Sequence, residues 1–525
     1  MSVRVTGWGG IDEIGGNKFL LEDGDWQVFL DFGKSFTAYG SYFEEFLTPR
    51  STVGTFDYLR TGLLPPLEGI FRPDLERLPE VRSFWNLAKN QPGYRADVRP
   101  RALLLSHAHQ DHHGYSSFLD HMTPIVSSTA TALIMKSLQD SSNPTVENET
   151  VFVRPRSTNG PLLRSKPNLG TQRAWYLSDG DTWTVEGERF WNQPLSHKNT
   201  ADWILRAAEP FSGNIDGHRV RAFPVDHSIP GGCGFAVETS VGWVAYSGDI
   251  RLHGHLGQLT ERFAEELRTL EVELLICEGT QAPYSHGPGE QDVRLDVHKT
   301  IANASGIVVG DFSPRNFERL DTFRDAACSS GRRLVVLEKD AFLLHALSMA
   351  DPTTPLPNAA DGPLIYRERR ENQRAWSQLI TEKYAAALIE PTEIAKSPNE
   401  YVLAASFYDS LRLLDINVQG GEWVYSTSEP YNEEQLLNMD RLRSWVKLLN
   451  MRLRGGADDD SGAHFHASGH ASGPDLLRFI EIAGPRRLMP VHLERPGLDF
   501  YREHVPPLGI ELVDPTWGHP IEILP

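Results

Sequence analysis

The sequence predicts an α/β fold in which two kinds of strand arrangement follow one another. In the first half, short strand-like runs are separated by turn residues, and from about Leu259 strands alternate with helices, which is typical of a parallel sheet covered by helices. Of 525 residues, 40% are hydrophobic and 23% are charged, so a largely disordered or fibrous chain is excluded. At this length we expect several domains with buried cores.

The first half of the chain contains the predicted antiparallel elements. The runs KFLLE and WQVFLDF flank Asp23-Gly24-Asp25, and turn residues between two strand-like runs predict a β-hairpin. Four further apolar runs are each predicted as a strand: RALLLSH (101–107), RVRAFPVDH (219–227), GFAVE and WVAYSGD (243–249). Between Met135 and Trp203 the sequence is rich in Ser, Asn, Pro and Gly and has little periodicity. We therefore expect a long insertion or lid near 137–200.

The second half of the chain has the alternating pattern. The helical run LTERFAEELRTL precedes the strand VELLICEGT, and helices near 289–304 and 316–329 alternate with the strands GIVVGDF and RRLVVLEKD. More helices are expected up to about Arg454. The Gly/Asp-rich segment 454–464 is predicted as a connector, followed by a short helix (474–483), the strand RRLMPVHLE and two closing strands.

Charge and cysteine content limit the classes of function. The net charge of −19 argues mildly against a nucleic-acid-binding protein, but it allows an enzyme with a locally positive groove or bound metal ions. Three scattered cysteines are too few for a disulfide framework or a thiolate zinc site. The mean hydropathy is −0.36, no run of eighteen apolar residues occurs, and the N-terminus lacks a signal-peptide pattern. We expect a cytoplasmic protein without a membrane span.

A cluster of metal-ligand residue types directly follows the strand RALLLSH: His107, His109, Asp111 and His112. Because side chains alternate along a strand, His107 and His109 point the same way, and the following turn can bring Asp111 and His112 to a second position. Nitrogen ligands with a carboxylate suit Zn²⁺ or a similar divalent ion. The alternative is a polar turn with surface histidines, but four such residues within six positions favour a metal site.

Three later residues lie at the ends of similar strands: His227, Asp249 and His492. Taken alone, each histidine is interpreted as structural and Asp249 as a turn or cap residue. Together with the cluster at 107–112, they supply enough ligands for a two-ion site.

The ordered motifs resemble the metallo-β-lactamase fold signature. His-x-His-x-Asp-His at 107–112, followed by His227 and Asp249, is similar to its ligand set, and Asp31 in VFLDFG is similar to its first acidic motif. The resemblance implies that one ion takes His107, His109 and His227, and the other takes Asp111, His112 and His492, with Asp249 bridging. It implies two divalent ions, with Zn²⁺ expected and Mn²⁺ or Mg²⁺ as alternatives.

The later part resembles the β-CASP branch of nucleases, which interrupts this fold with an α/β insert. Glu278, His470 and His492 fall at three motifs of that branch, and RNase J-type ribonucleases are the most similar members over about Val3 to Glu494. The resemblance implies a metallo-β-lactamase αββα sandwich interrupted by an α/β β-CASP domain. Its implied parts are residues 1–280 with the insertion near 137–200, a β-CASP domain at 281–455, and a return to the sandwich at 456–525.

The resemblance also implies catalytic and substrate-binding residues. His470 would stabilise or protonate the leaving oxygen, while Glu278 and Asp31 would orient ligand histidines; a loop cap and ordinary strand-end carboxylates are the alternatives. The stretch from Ser313 through Arg315 to Asn316 is similar to the family's Ser-Asn phosphate-binding segment, but a helix N-cap before FERLDTF is equally compatible.

The implied function is a metal-dependent ribonuclease that hydrolyses RNA phosphodiester bonds as a 5′→3′ exonuclease, an endonuclease or both. RNA is the expected partner, with DNA processing as an alternative, and a homodimer remains open. A small-molecule ester or lactone hydrolase is a further alternative, against which the α/β insert argues. A scaffold that has lost its metals is the last, and the intact ligand set disfavours it.

Overall fold

The structure is a computed structural model that describes residues 3–166, 168–180, 184–197, 200–428, 433–456, 459 and 461–524. The predicted insertion near 137–200 and the predicted connector at 454–464 each include positions outside the described residues, namely 167, 181–183, 198, 199, 457, 458 and 460.

The strands of the first half are short, and they are β1 Val3–Gly7, β2 Phe19–Asp23, β3 Trp26–Leu30, β4 Leu103–Leu104, β5 Ile125–Ser127, β6 Phe152–Val153, β7 Arg156–Asn159, β8 Leu162–Ser165, β9 Thr171–Gln172, β10 Trp175–Leu177, β11 Glu209–Pro210, β12 Asn214–Ile215, β13 His218–Pro224, β14 Cys233–Thr239 and β15 Gly242–Tyr246. The later strands are β16 Leu274–Glu278, β17 Val308–Asp311, β18 Arg333–Val336, β19 Leu364–Tyr366, β20 Leu388–Ile389, β21 Tyr401–Ala404, β22 Glu422–Tyr425, β23 Arg452–Arg454, β24 Arg487–Val491, β25 Glu511–Leu512 and β26 Pro520–Ile523.

The helices are α1 Phe36–Gly40, α2 Phe56–Arg60, α3 Pro79–Ala88, α4 Gln110–His113, α5 Thr129–Ser141, α6 Val185–Trp191, α7 Gly257–Leu270, α8 Glu290–Asn303, α9 Phe317–Ser329, α10 Glu338–Leu347, α11 Ala375–Lys383, α12 Pro391–Lys396, α13 Leu411–Ile416, α14 Glu433–Leu448, α15 Gly473–Ala483 and α16 Arg495–His504.

Two sheets pack face to face and form the sandwich. Their strand orders are β11-β10-β5-β4-β3-β2-β1-β26 and β12-β13-β14-β15-β16-β24-β25. Side chains such as Leu21 of the first sheet and Phe235 of the second share one apolar core between them. Helices α3 and α5 pack on the outer face of the first sheet, and α7, α15 and α16 on that of the second. The predicted αββα sandwich is confirmed.

A third sheet has the order β20-β19-β18-β21-β17-β22-β23, and its neighbouring strands are all parallel. Its two faces bury separate apolar clusters, one against α8 to α11 and the other against α12 to α14. The chain leaves the second sheet after β16 and returns at β24, which pairs with β16 in parallel. An α/β unit therefore interrupts the sandwich, and the boundaries at 281–455 stay a prediction.

The predicted hairpin is present, because β2 and β3 pair antiparallel from Phe19↔Leu30 to Asp23↔Trp26 around Gly24. The segment near 137–200 was predicted as a long insertion or lid, but part of it belongs to the first sheet of the sandwich. Strand β10 pairs with β5 in the first sheet, and both Trp175 and Trp191 are buried. Strands of two to four residues are too short to show an alternating pattern, which is why periodicity did not indicate them.

One further element differs from the sequence prediction. Helix α16 lies between β24 and the closing strands, where no helix was predicted; its Pro496-Gly497 start has the composition of a turn, although proline is favoured in the first turn of a helix. The basic segment 366–374 begins at the last residue of β19 and contains no helix. Its arginines pair locally, for example Arg367 with Glu390 and Arg369 with Asp415. In the described part of the chain, no helix is both long enough and apolar enough to cross a membrane.

Candidate metal centre

The candidate ligands lie where strands of the two packed sheets end. Asp249 and His492 follow β15 and β24, and Glu278 is the last residue of β16. These three strands are parallel neighbours, so their carboxyl ends meet at one edge of the second sheet. The segment after β4 carries the cluster 107–112 and faces this edge, because Cys233 N donates to the Ser106 carbonyl oxygen at 3.0 Å. Loops from both sheets therefore converge.

Four side chains form a first ligand group. His109 Nδ1 lies 3.1 Å from His107 Nε2 and 3.1 Å from His227 Nε2. Asp249 Oδ2 lies 3.5 Å from His107 Nε2 and 3.6 Å from His227 Nε2. Three imidazole nitrogens and one carboxylate oxygen thus surround one point.

A second ligand group shares Asp249 with the first. Asp249 Oδ2 lies 3.1 Å from His112 Nε2, and Asp111 Oδ2 lies 3.3 Å from His492 Nε2 and 3.8 Å from His112 Nε2. The ligand atoms of this group all lie within 4.8 Å of one another. The seven residues that the sequence predicts as metal ligands are therefore brought together as two adjoining groups.

The chemistry of these groups fits divalent ions. Tetrahedral ligands at about 2.0–2.1 Å from Zn²⁺ are about 3.3 Å apart, which is close to the distances between these donor atoms. His112 Nε2 and Asp249 Oδ1 are buried and have no hydrogen-bond partner in the described structure. Because buried polar atoms without a partner are costly, a cation between them would satisfy both groups.

Asp31 orients the ligand His112. Its Oδ2 lies 2.7 Å from His112 Nδ1 and accepts from the Tyr246 hydroxyl at 2.7 Å, while its Oδ1 accepts from Ser106 N at 2.7 Å. Nδ1 of His112 donates to Asp31, and Nε2, which faces Asp249, is therefore the nitrogen that would bind a metal ion. Asp31 itself has φ 58°, in the left-handed region. A Cβ on Gly33 would lie 1.6 Å from the Asp111 carbonyl oxygen, so glycine is required where this loop touches α4.

Other ligand histidines are fixed in the same way. His227 Nδ1 donates to the Gly469 carbonyl oxygen at 2.6 Å, and His492 Nδ1 lies 2.7 Å from Thr280 Oγ1. Glu278 accepts from the backbone N–H of Ile250 at 2.8 Å and belongs to neither of the two groups that the seven predicted ligands form. Tyr246, Ser106 and Thr280 were not predicted from the sequence, because a single hydroxyl in a strand or turn has no distinctive spacing.

Burial sets the protonation of the histidines. Burial lowers the pKa of His107 and His227 far below the usual range, and burial with the nearby Arg315 lowers that of His109 to about 3. These imidazoles are therefore neutral, which is the form that binds a metal ion. Burial opposes protonation of His112, but the charges of Asp249 and Asp111 outweigh it and raise its pKa.

His470 pairs with Glu278 beside the ligand groups. His470 Nδ1 lies 2.9 Å and 3.0 Å from the two carboxylate oxygens of Glu278. Burial lowers its pKa, but the charges of Glu278 and Asp249 outweigh this and raise the pKa to about 9. Its ring centroid lies 5.2 Å from that of His227 and 5.5 Å from that of His492. The His470–Glu278 pair therefore lies directly beside the candidate metal centre.

The predicted phosphate-binding residues have different surroundings. Arg315 Nη1 lies 3.4 Å from the Ala108 carbonyl oxygen, within the cluster segment, and no ion-pair partner of Arg315 is found in the described residues. Asn316 caps α9, since its side chain accepts from Arg319 N at 3.0 Å. Ser313 is exposed. Only Arg315 reaches the cluster segment. His113, next to the ligand cluster, is buried, and neither of its ring nitrogens has a hydrogen-bond partner in the described structure.

Sequence comparisons find a matching family and related proteins. The family described as "RMMBL: Zn-dependent metallo-hydrolase RNA specificity domain" matches residues 463–513. Ribonuclease J of Mycolicibacterium smegmatis is 22% identical over 506 residues, which is 93% of this chain and 68% of that protein. Ribonuclease J of Sinorhizobium meliloti is 33% identical over 303 residues, which is 55% of this chain and 48% of that protein.

A solved structure supports the fold across the whole chain. A protein of unknown function from Enterococcus faecalis V583 superimposes with a TM-score of 0.66 at 18% identity, covering 99% of this chain and 100% of that one. At this identity the likeness supports the fold alone.

Proposed function

We propose that the chain, which is similar to ribonucleases of the RNase J type, is a metal-dependent ribonuclease that hydrolyses RNA phosphodiester bonds. The observation that carries this proposal is the convergence of seven ligand side chains in two adjoining groups, with the His470–Glu278 pair beside them. The segment similar to an RNA-specificity domain includes both His470 and His492. An RNA substrate fits the cytoplasmic location expected from the sequence.

We assign the two ligand groups to two divalent ions that share Asp249. The imidazole-rich donor set and the zinc-dependent description of the matching family support Zn²⁺, with Mn²⁺ and Mg²⁺ as the alternatives to test. When bound, such ions neutralise charge on the scissile phosphate and lower the pKa of the attacking water.

The chain's own residues prepare this chemistry. Neutral His107, His109 and His227 keep a lone pair for the metal because burial disfavours their protonation. Asp31 fixes the tautomer and ring orientation of His112 through Nδ1. Fixed ligands leave little reorganisation to be done when the substrate binds.

His470 is proposed to supply the proton for the leaving oxygen. Its Nδ1 proton is donated to Glu278, so the proton available to a substrate is on Nε2. Glu278 is itself held by Ile250 N and by Thr280 N at 3.2 Å, which fixes the imidazole plane. A side chain that lies within hydrogen-bond reach of the leaving oxygen and keeps its proton at neutral pH can act as a general acid.

Arg315 is proposed to bind the substrate phosphate. Its guanidinium donates to the Ala108 carbonyl oxygen and has no carboxylate partner in the described residues, so its other N–H donors are available to an anion. Asn316 is proposed to act indirectly, because its side chain caps the helix that follows Arg315. Ser313 is exposed next to them and is proposed as a weaker substrate contact.

The test uses metal-loaded protein and matched substrates. We expect cleavage of 5′-labelled and internally labelled RNA, little cleavage of DNA of the same sequence, and no opening of a chromogenic lactone. Release of single nucleotides from the 5′ end indicates an exonuclease, and internal fragments indicate an endonuclease. Preferred cleavage of DNA or of the lactone would overturn the proposal.

A matched pair of variants assigns the activity to this centre. His109→Ala removes a ligand of the first group and should abolish RNA cleavage. His121→Ala, whose imidazole pairs with Asp120 on the surface, should retain it. Equal activity of the two variants would show that the cleavage arises elsewhere.

A further inference from the structure

A buried network of charged side chains connects the loops of the candidate metal centre with the helices of the third sheet. At its centre is Glu290, the first residue of α8, which is 1% exposed. Glu290 accepts from Arg251 Nη1 at 3.1 Å and from Arg319 Nη2 at 2.9 Å and 3.0 Å. One carboxylate therefore holds two fully buried guanidinium groups.

Arg251 connects the carboxylate of Glu290 with the two loops that carry the ligands His227 and Asp249. It lies two residues after Asp249, and its Nε donates to Asp226 Oδ1 at 3.1 Å. Its backbone N–H also donates to the Asp226 carbonyl oxygen at 2.9 Å. Because Asp226 directly precedes His227, Arg251 fixes the loops of the ligands Asp249 and His227 relative to each other.

Arg319 connects the carboxylate of Glu290 with the loops that contain Ser426 and Phe465. Its Nη1 donates to the carbonyl oxygens of Ser426 at 2.9 Å and Phe465 at 2.7 Å. Phe465 belongs to the loop that carries His470, and Arg319 belongs to the first turn of α9, which follows Arg315. Both groups proposed to contact the substrate are therefore connected to Glu290 through Arg319.

A second carboxylate, that of Glu318, also connects Arg251 with α9. Glu318, next to Arg319 on α9, accepts from the Arg251 guanidinium and from His255 N at 3.0 Å. Buried ion pairs contribute little net stability compared with apolar packing, but their bidentate geometry is strongly directional. The arrangement is therefore better suited to fixing orientation than to stabilising the fold.

We propose that Glu290 is a positioning residue that holds Arg315 and His470 in register with the metal loops. This inference depends on the proposed ribonuclease function, because it assigns those two groups to the RNA phosphate and the leaving oxygen. Glu290 itself touches neither substrate nor metal ligand; it acts through Arg251 and Arg319.

Glu290→Gln removes the charge at constant shape, and Glu149→Gln is the matched control. Glu149 is also 1% exposed and accepts from Arg72 at 3.1 Å, from Arg154 at 2.8 Å and from Arg156. These four residues make no hydrogen bond to a candidate metal ligand in the described part of the chain. Both variants lose a comparable buried charge, so their difference reports positioning rather than stability.

We expect Glu290→Gln to lower kcat/KM for RNA by about 10-fold to 100-fold, as misplaced reacting groups do, and Glu149→Gln to leave it unchanged. Hydrolysis of bis(p-nitrophenyl) phosphate should persist in both, because p-nitrophenolate leaves without a proton donor. Glu290→Asp, which keeps the charge on a shorter side chain, should show an intermediate loss. Equal losses in the Gln variants, or loss of the small-substrate reaction in Glu290→Gln alone, would overturn the inference.

Hydrogen–deuterium exchange on the metal-loaded protein provides a readout that does not depend on activity. We expect faster exchange in segments 313–320 and 463–471 of Glu290→Gln but not of Glu149→Gln. Unchanged exchange in these segments would overturn the positioning role. If Glu290→Gln exchanges faster in these segments but the unsubstituted protein does not cleave RNA, the proposed function is refuted and the positioning role stands.

Discussion

At the scale of single residues, the candidate site depends on carboxylates that fix histidines. Asp31 accepts hydrogen bonds from Ser106 N, the Tyr246 hydroxyl and His112 Nδ1. This one carboxylate therefore orients the imidazole of His112 from the side opposite to its metal-binding nitrogen. Such outer partners contribute to metal affinity because they set the tautomer and the angle of the ring. The sequence predicted Asp31 only through a family motif, since one carboxylate at a strand end has no spacing of its own.

Asp31→Asn should weaken metal binding while keeping the fold. Loss of the charged acceptor for His112 is expected to lower affinity for the second ion by about 10-fold to 100-fold. Titration of metal-free protein with Zn²⁺ against a chromogenic chelator measures this. Asp23→Asn is the control, because Asp23 is also a strand-end carboxylate but accepts from Ser240 and lies near His218. Equal affinity in both variants would contradict the orienting role.

At the scale of elements, sequence patterns predicted long helices and ligand-bearing strand ends well and short elements poorly. The helix predicted near 316–329 is observed at Phe317–Ser329, and that near 289–304 at Glu290–Asn303. The strand predicted at 101–107 is reduced to Leu103–Leu104, since the ligand turn begins where the strand pairing ends. The network around Glu290 was not predicted, because its members are distant in sequence and their pairing depends on tertiary packing.

The N-cap of α9 gives a prediction at this scale. Asn316→Ala removes the acceptor for Arg319 N and should cost about 1 kcal/mol of helix stability, fraying the turn that follows Arg315. We expect a higher KM for RNA and faster exchange at 317–320. Thr184→Ala, which removes the matching cap of α6, should leave KM unchanged. An unchanged KM for Asn316→Ala would argue that Arg315 does not contact the substrate.

At the scale of the whole molecule, the sandwich places ligands from distant parts of the chain at one edge. His107 and His492 are separated by most of the sequence, and the third sheet is inserted between β16 and β24, which are neighbours in space. Alternating strands and helices predicted that inserted sheet, but pairing between β16 and β24 is not visible in either segment alone. The motifs resembling a known family supplied the long-range arrangement that local patterns could not.

One measurement tests whether the two ligand groups support the proposed reaction. Metal-free protein is titrated with Zn²⁺ or Mn²⁺ while cleavage of end-labelled RNA is followed. Two ligand groups that share Asp249 predict that cleavage is absent without metal and reaches its maximum at two equivalents per chain. Full cleavage by the metal-free protein, or saturation at one equivalent, would contradict a two-ion ribonuclease.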